Sequence, residues 1–285
     1  MSIIESIKRR KSVRTYENQP LSKELKDKIE DFIRQTQAPF GVEVRIQLVN
    51  TCMGEERIKL GTYGFVRGAS DYLALIYKEA PLAEEGGAYL FEQVILFCTG
   101  LGLGTCWLGG SFNRKDFKRQ LQLNPDERLR IVSPVGYESA KKRLFELLQG
   151  AEKHHISRKP FGTLFFDKDF TVPLTEKKAG IYAQPLEMVR IAPSANNYQP
   201  WRIVLDEGAL HFYRTASLGG FSATDMGIAL CHFEQTCKEL GIKGYFKVMN
   251  GLENKNGKYC ISWIREDKDA LYRRSGFAFA EQRFC

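Results

Sequence analysis

The sequence predicts an α+β fold built from two degenerate repeats in one chain. Its 285 residues suit about two domain-sized units. Helical and strand-like patterns follow one another without the strict βαβ succession of a parallel sheet. Two stretches also share one order of elements, namely a Pro-Leu-Ser/Thr helix start, a helical pattern, an Ala-Pro pair and an apolar strand. These three observations together favour two similar halves.

The two halves are expected to meet near residue 155. The first repeat starts at Pro20 and reaches its strand at Val44–Val49, and the second starts at Pro173 and reaches its strand at Trp201–Leu205. Each then has an apolar helix that ends in glycines. We therefore predict a first half over residues 1–155 and a second half over residues 156–285. Chance similarity stays open as the alternative, because Pro-Leu-Ser/Thr is a common helix start.

Periodicity predicts the elements of the first half. A basic helix is expected over residues 2–11 and an amphipathic helix over 22–37. The continuous apolar run Tyr72–Tyr77 is typical of a buried strand. Residues 84–101 are apolar nearly all round, which indicates a central buried helix, and Leu129–Gly136 has the pattern of a strand. Leu144–Leu148, beside Lys141–Arg143, is expected to form an amphipathic surface helix.

The second half has its own series of elements. A helix is expected to end at Leu186–Ile191, and a Glu-Gly turn separates strands at Trp201–Leu205 and Ala209–Tyr213. A helix follows over Asp225–Leu240, and a hairpin with its turn at Asn254–Gly257 closes the series.

Composition excludes several classes of protein. Apolar residues make up 43% of the chain and charged residues 27%, which is usual for a folded soluble protein. Seven cysteines without a CxxC pair suggest neither a disulfide framework nor a zinc ribbon. Cys106 is expected to be a buried small residue rather than a nucleophile, and His154-His155 lacks further residues at metal-ligand spacing.

We expect a cytoplasmic protein, since the start lacks a secretory signal and Tyr89–Leu103 is too short to span a membrane.

Charge concentrates near the start of the chain. The formal net charge is +8, and five of the seven residues Lys8–Arg14 are basic, with Ser12 among them. A phosphate takes charge-assisted donors from several directions, which Arg and Ser supply. Alternate residues of an extended arm share a face, so Arg10, Ser12 and Arg14 are expected on one side. A solvated basic helix or a nucleic-acid patch is the alternative.

Two further segments have ligand-binding character. The glycine-rich segment Gly100–Gly110 allows close approach to a flat ligand, with Trp107 and Leu108 placed to cover a ring. A helix cap explains its earlier glycines but not Gly109-Gly110. The polar segment Ala192–Trp201 lies between a helix and a strand, and its Ser and Asn side chains can donate to a ligand. An ordinary capped turn is the alternative for this loop.

Together these motifs resemble the nitroreductase family of FMN enzymes over residues 3–245. That family has an Arg/His/Lys-Ser-x-Arg/Lys arm for the flavin phosphate, a glycine-rich turn against the isoalloxazine and a P-S-x-x-N-x-Q-P-W loop, which residues 193–201 match at every fixed position. Arg158 matches a later phosphate-binding Arg of the family. The resemblance, with Gly68 added by position, implies FMN contacts from these residues: Arg10, Lys11, Ser12, Arg14, Gly68, Trp107, Leu108, Gly109, Gly110, Arg158, Pro193, Ser194, Ala195 and Asn197.

The order of the motifs departs from the family pattern. In the family the P-S-x-x-N loop soon follows the arm, but here that place holds Ala38–Gly41, and the intact loop lies in the second half, which has no basic arm. The chain resembles the tandem, single-chain subgroup, a fused pseudo-dimer whose halves keep complementary pieces. The resemblance therefore implies one FMN per chain, no metal, and a chain able to act as a monomer.

The resemblance implies an FMN-dependent NAD(P)H oxidoreductase that reduces a nitroaromatic or quinone-like acceptor by ping-pong hydride transfer. The flavin carries the chemistry, so no catalytic side chain is expected, and the N–H of Gly109 or Gly110 is expected near flavin N5. A flavin-binding protein without nicotinamide turnover, such as a store or sensor, is the alternative. A nucleic-acid partner is disfavoured because no stacking motif accompanies the basic segments, and no membrane partner is expected.

Overall fold

The computed structural model describes residues 1–53, 56–57, 61–140 and 157–266 of the chain. The chain divides into two units. The first consists of Met1–Ala38 with Val42–Ile156, and the second of Pro39–Gly41 with Ser157–Cys285. No periodicity in the sequence indicates that the short segment Pro39–Gly41 groups with the second unit.

Two capped helices open the first unit, α1 (Ile3–Arg9) and α2 (Lys23–Gln35). Ser2 Oγ accepts the backbone N–H of Glu5, whose carboxylate accepts the N–H of Ser2. This capping box satisfies two N–H groups that a helix start otherwise leaves unpaired. The predicted helices over 2–11 and 22–37 are confirmed. Helix α1 ends before the expected residue because Arg10 has turned to ψ 126°, which starts an extended segment.

In its described residues, the rest of the first unit is an antiparallel sheet with two more helices. In chain order the elements are β1 (Val44–Asn50), β2 (Cys52–Met53), β3 (Glu56–Arg57), β4 (Asp71–Lys78), α3 (Ala83–Gly100), β5 (Gly104–Thr105), α4 (Arg114–Leu121) and β6 (Glu127–Gly136). The main sheet has the order β1-β4-β6-β5, and β2 pairs with β3. All of these pairs are antiparallel, which agrees with the predicted α+β class.

Strand β4 and helix α3 form the centre of the first unit. Residues 71–77 of β4 are buried, and α3 is buried nearly all round, as predicted. A Cβ at Gly87 of α3 would lie 3.3 Å from Leu75 Cδ1, so a side chain there would crowd the sheet. Two carboxylates, Glu85 and Glu92, are nevertheless buried on this helix. A buried carboxylate needs a partner, and Glu92 contributes to the site described below.

The second unit is a mixed sheet with four helices in its described part. In chain order its elements are α5 (Phe161–Leu164), β7 (Phe165–Asp167), α6 (Glu176–Ala179), α7 (Ala183–Arg190), β8 (Trp201–Asp206), β9 (Ala209–Arg214), α8 (Ser222–Glu239), β10 (Gly244–Lys247) and β11 (Lys258–Arg265). The sheet order is β10-β11-β9-β8-β7, with β7 parallel to β8 and the other pairs antiparallel. The predicted strands, the helix over 225–240 and the Asn254–Gly257 turn are confirmed.

Aromatic side chains fill the core of the second unit. Phe246 contacts Trp263 edge to face with the ring centroids 5.1 Å apart, and Phe233 contacts Trp263 at 5.4 Å. Phe40 packs against Phe246 at 5.9 Å and is 3% exposed. Such pairs add to the free energy gained from burying apolar area. Phe40 therefore explains why the short segment from the first third of the chain groups with this unit.

Some of the sequence predictions fall on residues that the structure does not describe. The helix over Leu144–Leu148, the basic run Lys141–Arg143 and the pair His154-His155 lie outside the described ranges. Within those ranges, no group of three or more His, Cys, Asp and Glu residues is arranged to hold a metal ion. No helix of the described part has both the length and the apolar character that crossing a membrane requires.

An ion pair at the edge of the first unit predicts a dependence of stability on pH. Arg45 donates through Nε and Nη2 to the two carboxylate oxygens of Glu127 at 2.6 and 2.8 Å. These bonds lower the pKa of Glu127 from 4.5 to about 2, against the opposing effect of burial. The stabilisation is therefore full above pH 4.5, the value for the unfolded chain, and is lost as the pH falls towards 2.

The measurement is the free energy of unfolding by urea between pH 2 and pH 7. The native chain is expected to lose more stability on acidification than Glu127→Gln, in which residue 127 has no proton to bind. Glu30→Gln, at an exposed position of α2, serves as the control and should follow the native curve. Equal acid slopes for the native chain and Glu127→Gln would contradict the assignment.

Candidate functional site

The segment that follows α1 is fixed to the first unit by backbone hydrogen bonds. We call Ser12–Tyr16 the arm. Val13 N–H donates to Thr105 O of β5 at 2.8 Å, and Tyr16 N–H donates to Arg67 O at 2.8 Å. The N–H of Arg67 in turn donates to the carbonyl of Arg14 at 2.9 Å. The arm is therefore an additional extended strand with two neighbours rather than a loose tail.

Side chains alternate from Ser12 to Thr15 of the arm, as the sequence predicts. Val13 is buried, whereas Ser12 and Arg14 on either side of it are partly exposed. In the described part of the chain, neither the Ser12 hydroxyl nor the Arg14 guanidinium has a hydrogen-bond or ion-pair partner. Lys11 is different, because its ammonium lies 2.7 Å from the carboxylate of Glu138. The arm thus offers a hydroxyl and a guanidinium to an outside acceptor.

Arg10, which the alternation groups with Ser12 and Arg14, is instead buried, with 4% of its surface exposed. Burial lowers the pKa of Arg10, and the negative charge of Glu92 opposes this shift. Glu92 is completely buried on α3 and accepts the indole N–H of Trp107 at 2.8 Å. Arg10, Glu92 and Trp107 thus form a buried polar cluster that connects the end of α1 to the glycine-rich turn.

The Arg10 guanidinium is not fully satisfied. Its Nη1 is buried and has no hydrogen-bond partner among the described residues. A buried donor without an acceptor costs about 1–3 kcal/mol, and such orphaned groups are uncommon in folded proteins. An anion that reaches this nitrogen would remove the cost.

The glycine-rich turn packs directly on the arm. A Cβ at Gly104 would lie 2.8 Å from Val13 Cγ2, so only glycine lets β5 approach the arm this closely. In the described part of the chain the N–H groups of Gly109 and Gly110 have no partner, although Arg114 Nη2 donates to the Gly109 carbonyl at 2.8 Å. A Cβ at Gly110 would have no neighbour within 4 Å. The turn therefore presents two backbone donors beside open space.

The two side chains expected to cover a ring differ in their surroundings. Leu108 is 2% exposed, lies in the apolar core of the first unit and exchanges backbone hydrogen bonds with Val132. Its side chain and its N–H are thus both engaged, which corrects the expectation that Leu108 faces a ligand. Trp107 is partly exposed and contacts Phe91 edge to face at 4.9 Å. Of these two side chains, only that of Trp107 keeps exposed surface that a ligand could contact.

Gly68 has a structural explanation within the first unit. Its φ is +83°, and a Cβ there would lie 2.2 Å from the carbonyl oxygen of Tyr16. The residue is therefore glycine because the arm passes against it. The expectation that Gly68 also allows close approach to a ligand stays a prediction.

In the second unit, hydrogen bonds within the loop of residues 193–201 and to the neighbouring Ser157 hold the shape of this loop. Asn196, Asn197 and Gln199 all have positive φ values, of 50°, 57° and 48°. This region is costly for residues other than glycine. Ser194 Oγ accepts the N–H of Gln199 at 2.9 Å, and Asn197 Nδ2 donates to Ser157 O at 2.9 Å. The fixed Ser, Asn and Gln of the motif thus support a strained backbone.

Arg158 belongs to the same network. Its Nη1 donates to Ala192 O at 2.8 Å and to Asn197 Oδ1 at 2.6 Å. Gln199 Nε2 also donates to Asn197 Oδ1, at 3.1 Å. Asn197 Nδ2 and Arg158 Nη1 thus already bond to protein groups, and the expectations that the Asn197 amide donates to a ligand and that Arg158 meets a phosphate stay predictions.

Helix α8 anchors the start of this loop. Asp225, in the first turn of α8, accepts the N–H of Ala195 through Oδ1 at 2.9 Å and is 2% exposed. A carboxylate in the first turn of a helix is also favoured by the helix dipole. Pro193, Ser194 and Ala195 are partly exposed at the outer side of this anchored turn.

The sequence of the chain is similar to that of a known protein family. Residues 2–237 match the family model described as "Putative TM nitroreductase". The chain belongs to this nitroreductase family. No curated protein matches the sequence.

One solved structure shares the fold of this nitroreductase-family chain, and others are similar to part of it. A "putative nitroreductase" from Thermotoga maritima has 21% sequence identity and a TM-score of 0.60, with 93% of this chain and 94% of that chain covered. A nitroreductase family protein from Clostridium difficile 630 has 21% identity and a TM-score of 0.43, with 56% and 94% covered. An "FMN-dependent Nitroreductase" from Clostridium difficile R20291 has 19% identity and a TM-score of 0.39, with 49% and 90% covered.

Sequence reasoning missed three carboxylates of this nitroreductase-family chain, namely Glu92, Glu138 and Asp225. The role of Glu92 could have been predicted from the sequence, because a carboxylate in an otherwise apolar helix needs a buried cation or donor. Glu138 and Asp225 pair with Lys11 and Ala195 across long stretches of sequence. No local pattern indicates such pairs.

Proposed function

We propose that this nitroreductase-family chain is an FMN-dependent oxidoreductase that uses NAD(P)H to reduce a nitroaromatic or quinone-like acceptor. The observation that carries the proposal is the set of unsatisfied donors on the first unit. Ser12 and Arg14 on the arm, and the N–H groups of Gly109 and Gly110, have no partner in the described residues. Hydroxyl, guanidinium and backbone N–H donors are the groups that bind phosphate and the polar edge of a flat ring.

The residues of the first unit fit FMN by their chemistry. Ser12 and Arg14 would bind the phosphate, and the charges of Arg10 and Lys11 would add attraction. Gly109 and Gly110 would donate to the polar edge of the ring, and Trp107 would contact its surface. When bound, FMN supplies the two-electron redox chemistry. The protein then has to hold the ring and exclude water, which requires no acidic or basic side chain.

For the second unit we propose a supporting role for two residues. Arg158 and Asn197 would hold the loop in its strained shape, and Pro193, Ser194 and Ala195 would be its ligand-facing residues. The network of hydrogen bonds within the loop supports this division. It follows that substitutions at Arg158 and Asn197 act through loop shape.

We also propose that the chain is a fused pseudo-dimer with one FMN per chain. Two features support it: each unit has a largely antiparallel sheet and an 18-residue buried helix, and the motifs are divided between the halves. The arm occurs only in the first half and the P-S-x-x-N loop only in the second. Two FMN per chain would contradict the division of motifs.

The test is an absorption spectrum of the purified chain with FMN, followed by anaerobic NADPH and then NADH. We expect one FMN per chain and loss of the flavin absorbance with a nicotinamide donor. Flavin that binds and stays oxidised with both donors would contradict the oxidoreductase and favour a store or sensor. An absence of flavin binding would contradict the whole proposal.

Arg14→Gln is expected to weaken FMN binding about 10- to 100-fold, because a charge-assisted hydrogen bond contributes about 1.5–3 kcal/mol. Flavin fluorescence titration measures the dissociation constant. Arg9→Gln is the matched control, since Arg9 is an exposed residue of α1 without a partner in the described part. Equal effects of the two substitutions would show general charge attraction and contradict a phosphate contact at Arg14.

A further inference from the structure

Two cations of the second unit bond only to neutral groups. Lys159 Nζ donates to Tyr198 O at 2.7 Å. Arg202 donates through Nη1 to Gln199 O at 3.1 Å and to Trp201 O at 2.6 Å. Within the described residues neither side chain forms an ion pair with a carboxylate. Both are partly buried, and both bond to one short run of backbone carbonyls.

Donors of both side chains remain unused. Arg202 forms no hydrogen bond through Nε or Nη2 in the described part of the chain, and Lys159 uses only one of its three donors. The Nε and Nη2 groups of a guanidinium lie side by side and match two oxygens of an oxyanion. The arrangement therefore has the donors of an anion site without an anion from the protein.

The neighbouring charges do not supply the missing counter-ion. Arg190 approaches Lys159 O with Nη1 at 3.5 Å, but its own charge is matched by Glu187, which accepts from its Nε and Nη2 at 2.6 and 2.7 Å. Arg158 adds another positive charge to the same loop. Burial, and then repulsion from Arg202, lowers the pKa of Lys159, and burial lowers the pKa of Arg202. Partly buried like charges in one place are unfavourable without an anion.

We propose that Lys159 and Arg202 form a binding site for a phosphate-type oxyanion on the second unit. The anion would accept from Arg202 Nε and Nη2 and from the ammonium of Lys159. It is either free phosphate or a phosphate group of a larger ligand, such as the 2′-phosphate by which NADP⁺ differs from NAD⁺. The site stands on residues of the second unit and does not depend on the proposed flavin function.

The first test is calorimetric titration of inorganic phosphate at constant ionic strength. The chain carries Arg14→Gln throughout, so that the arm does not add a second phosphate site. Lys159→Gln and Arg202→Gln are each expected to weaken phosphate binding at least about 10-fold, the loss of one charge-assisted contact. Lys177→Gln, at an exposed lysine of the same unit, should leave the affinity unchanged. Absence of binding, or equal binding in all variants, would overturn the proposal.

The same titration with NADP⁺ and NAD⁺ distinguishes the two sources of the anion. Tighter binding of NADP⁺ that Arg202→Gln abolishes would assign the site to a 2′-phosphate. Equal binding of both dinucleotides, together with phosphate binding that needs Arg202, would assign it to free phosphate. Because these readouts follow binding alone, they stay informative even if FMN does not bind.

A second measurement follows the reactivity of Lys159. Competitive labelling of amines with mass spectrometry reports the pH at which this residue loses its proton. Phosphate is expected to raise the pKa of Lys159 and slow its labelling, and Arg202→Gln should do the same by removing the repulsion. If Arg202→Gln does not fold, Arg202→Lys tests the site, because it keeps the charge but lacks the paired Nε and Nη2 donors: phosphate affinity should fall while the pKa of Lys159 stays lowered. Labelling of Lys159 that responds neither to phosphate nor to Arg202→Gln would overturn the site.

Discussion

Replacing Glu92 by alanine is expected to lower the free energy of unfolding by about 3–5 kcal/mol, because it leaves the buried positive charge of Arg10 without the negative charge that now opposes its burial. Arg10 is 4% exposed and Glu92 is completely buried. The guanidinium stays charged because its intrinsic pKa is far above neutral. Without Glu92, Arg10 would lose the nearby negative charge, and the indole N–H of Trp107 would lose its acceptor. Urea unfolding followed by circular dichroism measures the change.

A double-mutant cycle separates the charge from the packing. Glu92→Gln keeps an acceptor for Trp107 but removes the charge, so it is expected to cost less than Glu92→Ala. The pair Arg10→Met with Glu92→Leu removes both charges and fills the space, and it should recover most of the stability. Tryptophan fluorescence reports whether Trp107 has moved. Additive effects at residues 10 and 92 would contradict a shared cluster.

Gly68→Ala is expected to lower the free energy of unfolding by about 2–5 kcal/mol, from the left-handed backbone and from overpacking. The φ of Gly68 is +83°, and the new Cβ would lie 2.2 Å from Tyr16 O. The neighbour is a backbone atom of the arm, so it cannot move aside as a flexible side chain could. Restoring an acceptable distance requires the arm to shift, and urea unfolding measures the cost.

The same loop supplies a matched control in Gly64→Ala. Gly64 has a φ of +77°, but a Cβ there meets nothing within 4 Å. Only the left-handed conformation then contributes, at about 1–2 kcal/mol. The difference between the two variants isolates the contact with the arm. Equal losses at Gly64 and Gly68 would show that the arm is not packed against this loop as described.

Local signals predicted most of the elements correctly. The apolar run Tyr72–Tyr77 and the helix over 84–101 carry their own periodicity, and both appear in the structure. The two-residue strand β5 and the parallel pairing of β7 with β8 have no such signal, because each depends on a partner far away in sequence. The same holds for Phe40, whose place in the second unit depends on the aromatic core there.

For the candidate site, residue types were easier to predict than their roles. The basic composition of the arm indicated an anion site, and Ser12 and Arg14 do have unpaired donors in the described part. Sequence could not show that Arg10 turns inward, because the nearby charge that opposes the effect of its burial, Glu92, lies on a distant helix. Nor could it show that the Asn197 amide is engaged by Ser157 and Arg158.

The hydrogen bonds that fix the arm also determine when, during synthesis of the chain, the first unit can fold. Val13 is bound to Thr105, and the carbonyl of Thr15 accepts the N–H of Ser139 at 3.0 Å. These partners leave the ribosome long after the arm itself, and contacts between distant residues form only once the intervening chain has been ordered. A ligand of the arm would therefore bind only after the first unit has folded. Its binding free energy would then stabilise that unit as a whole.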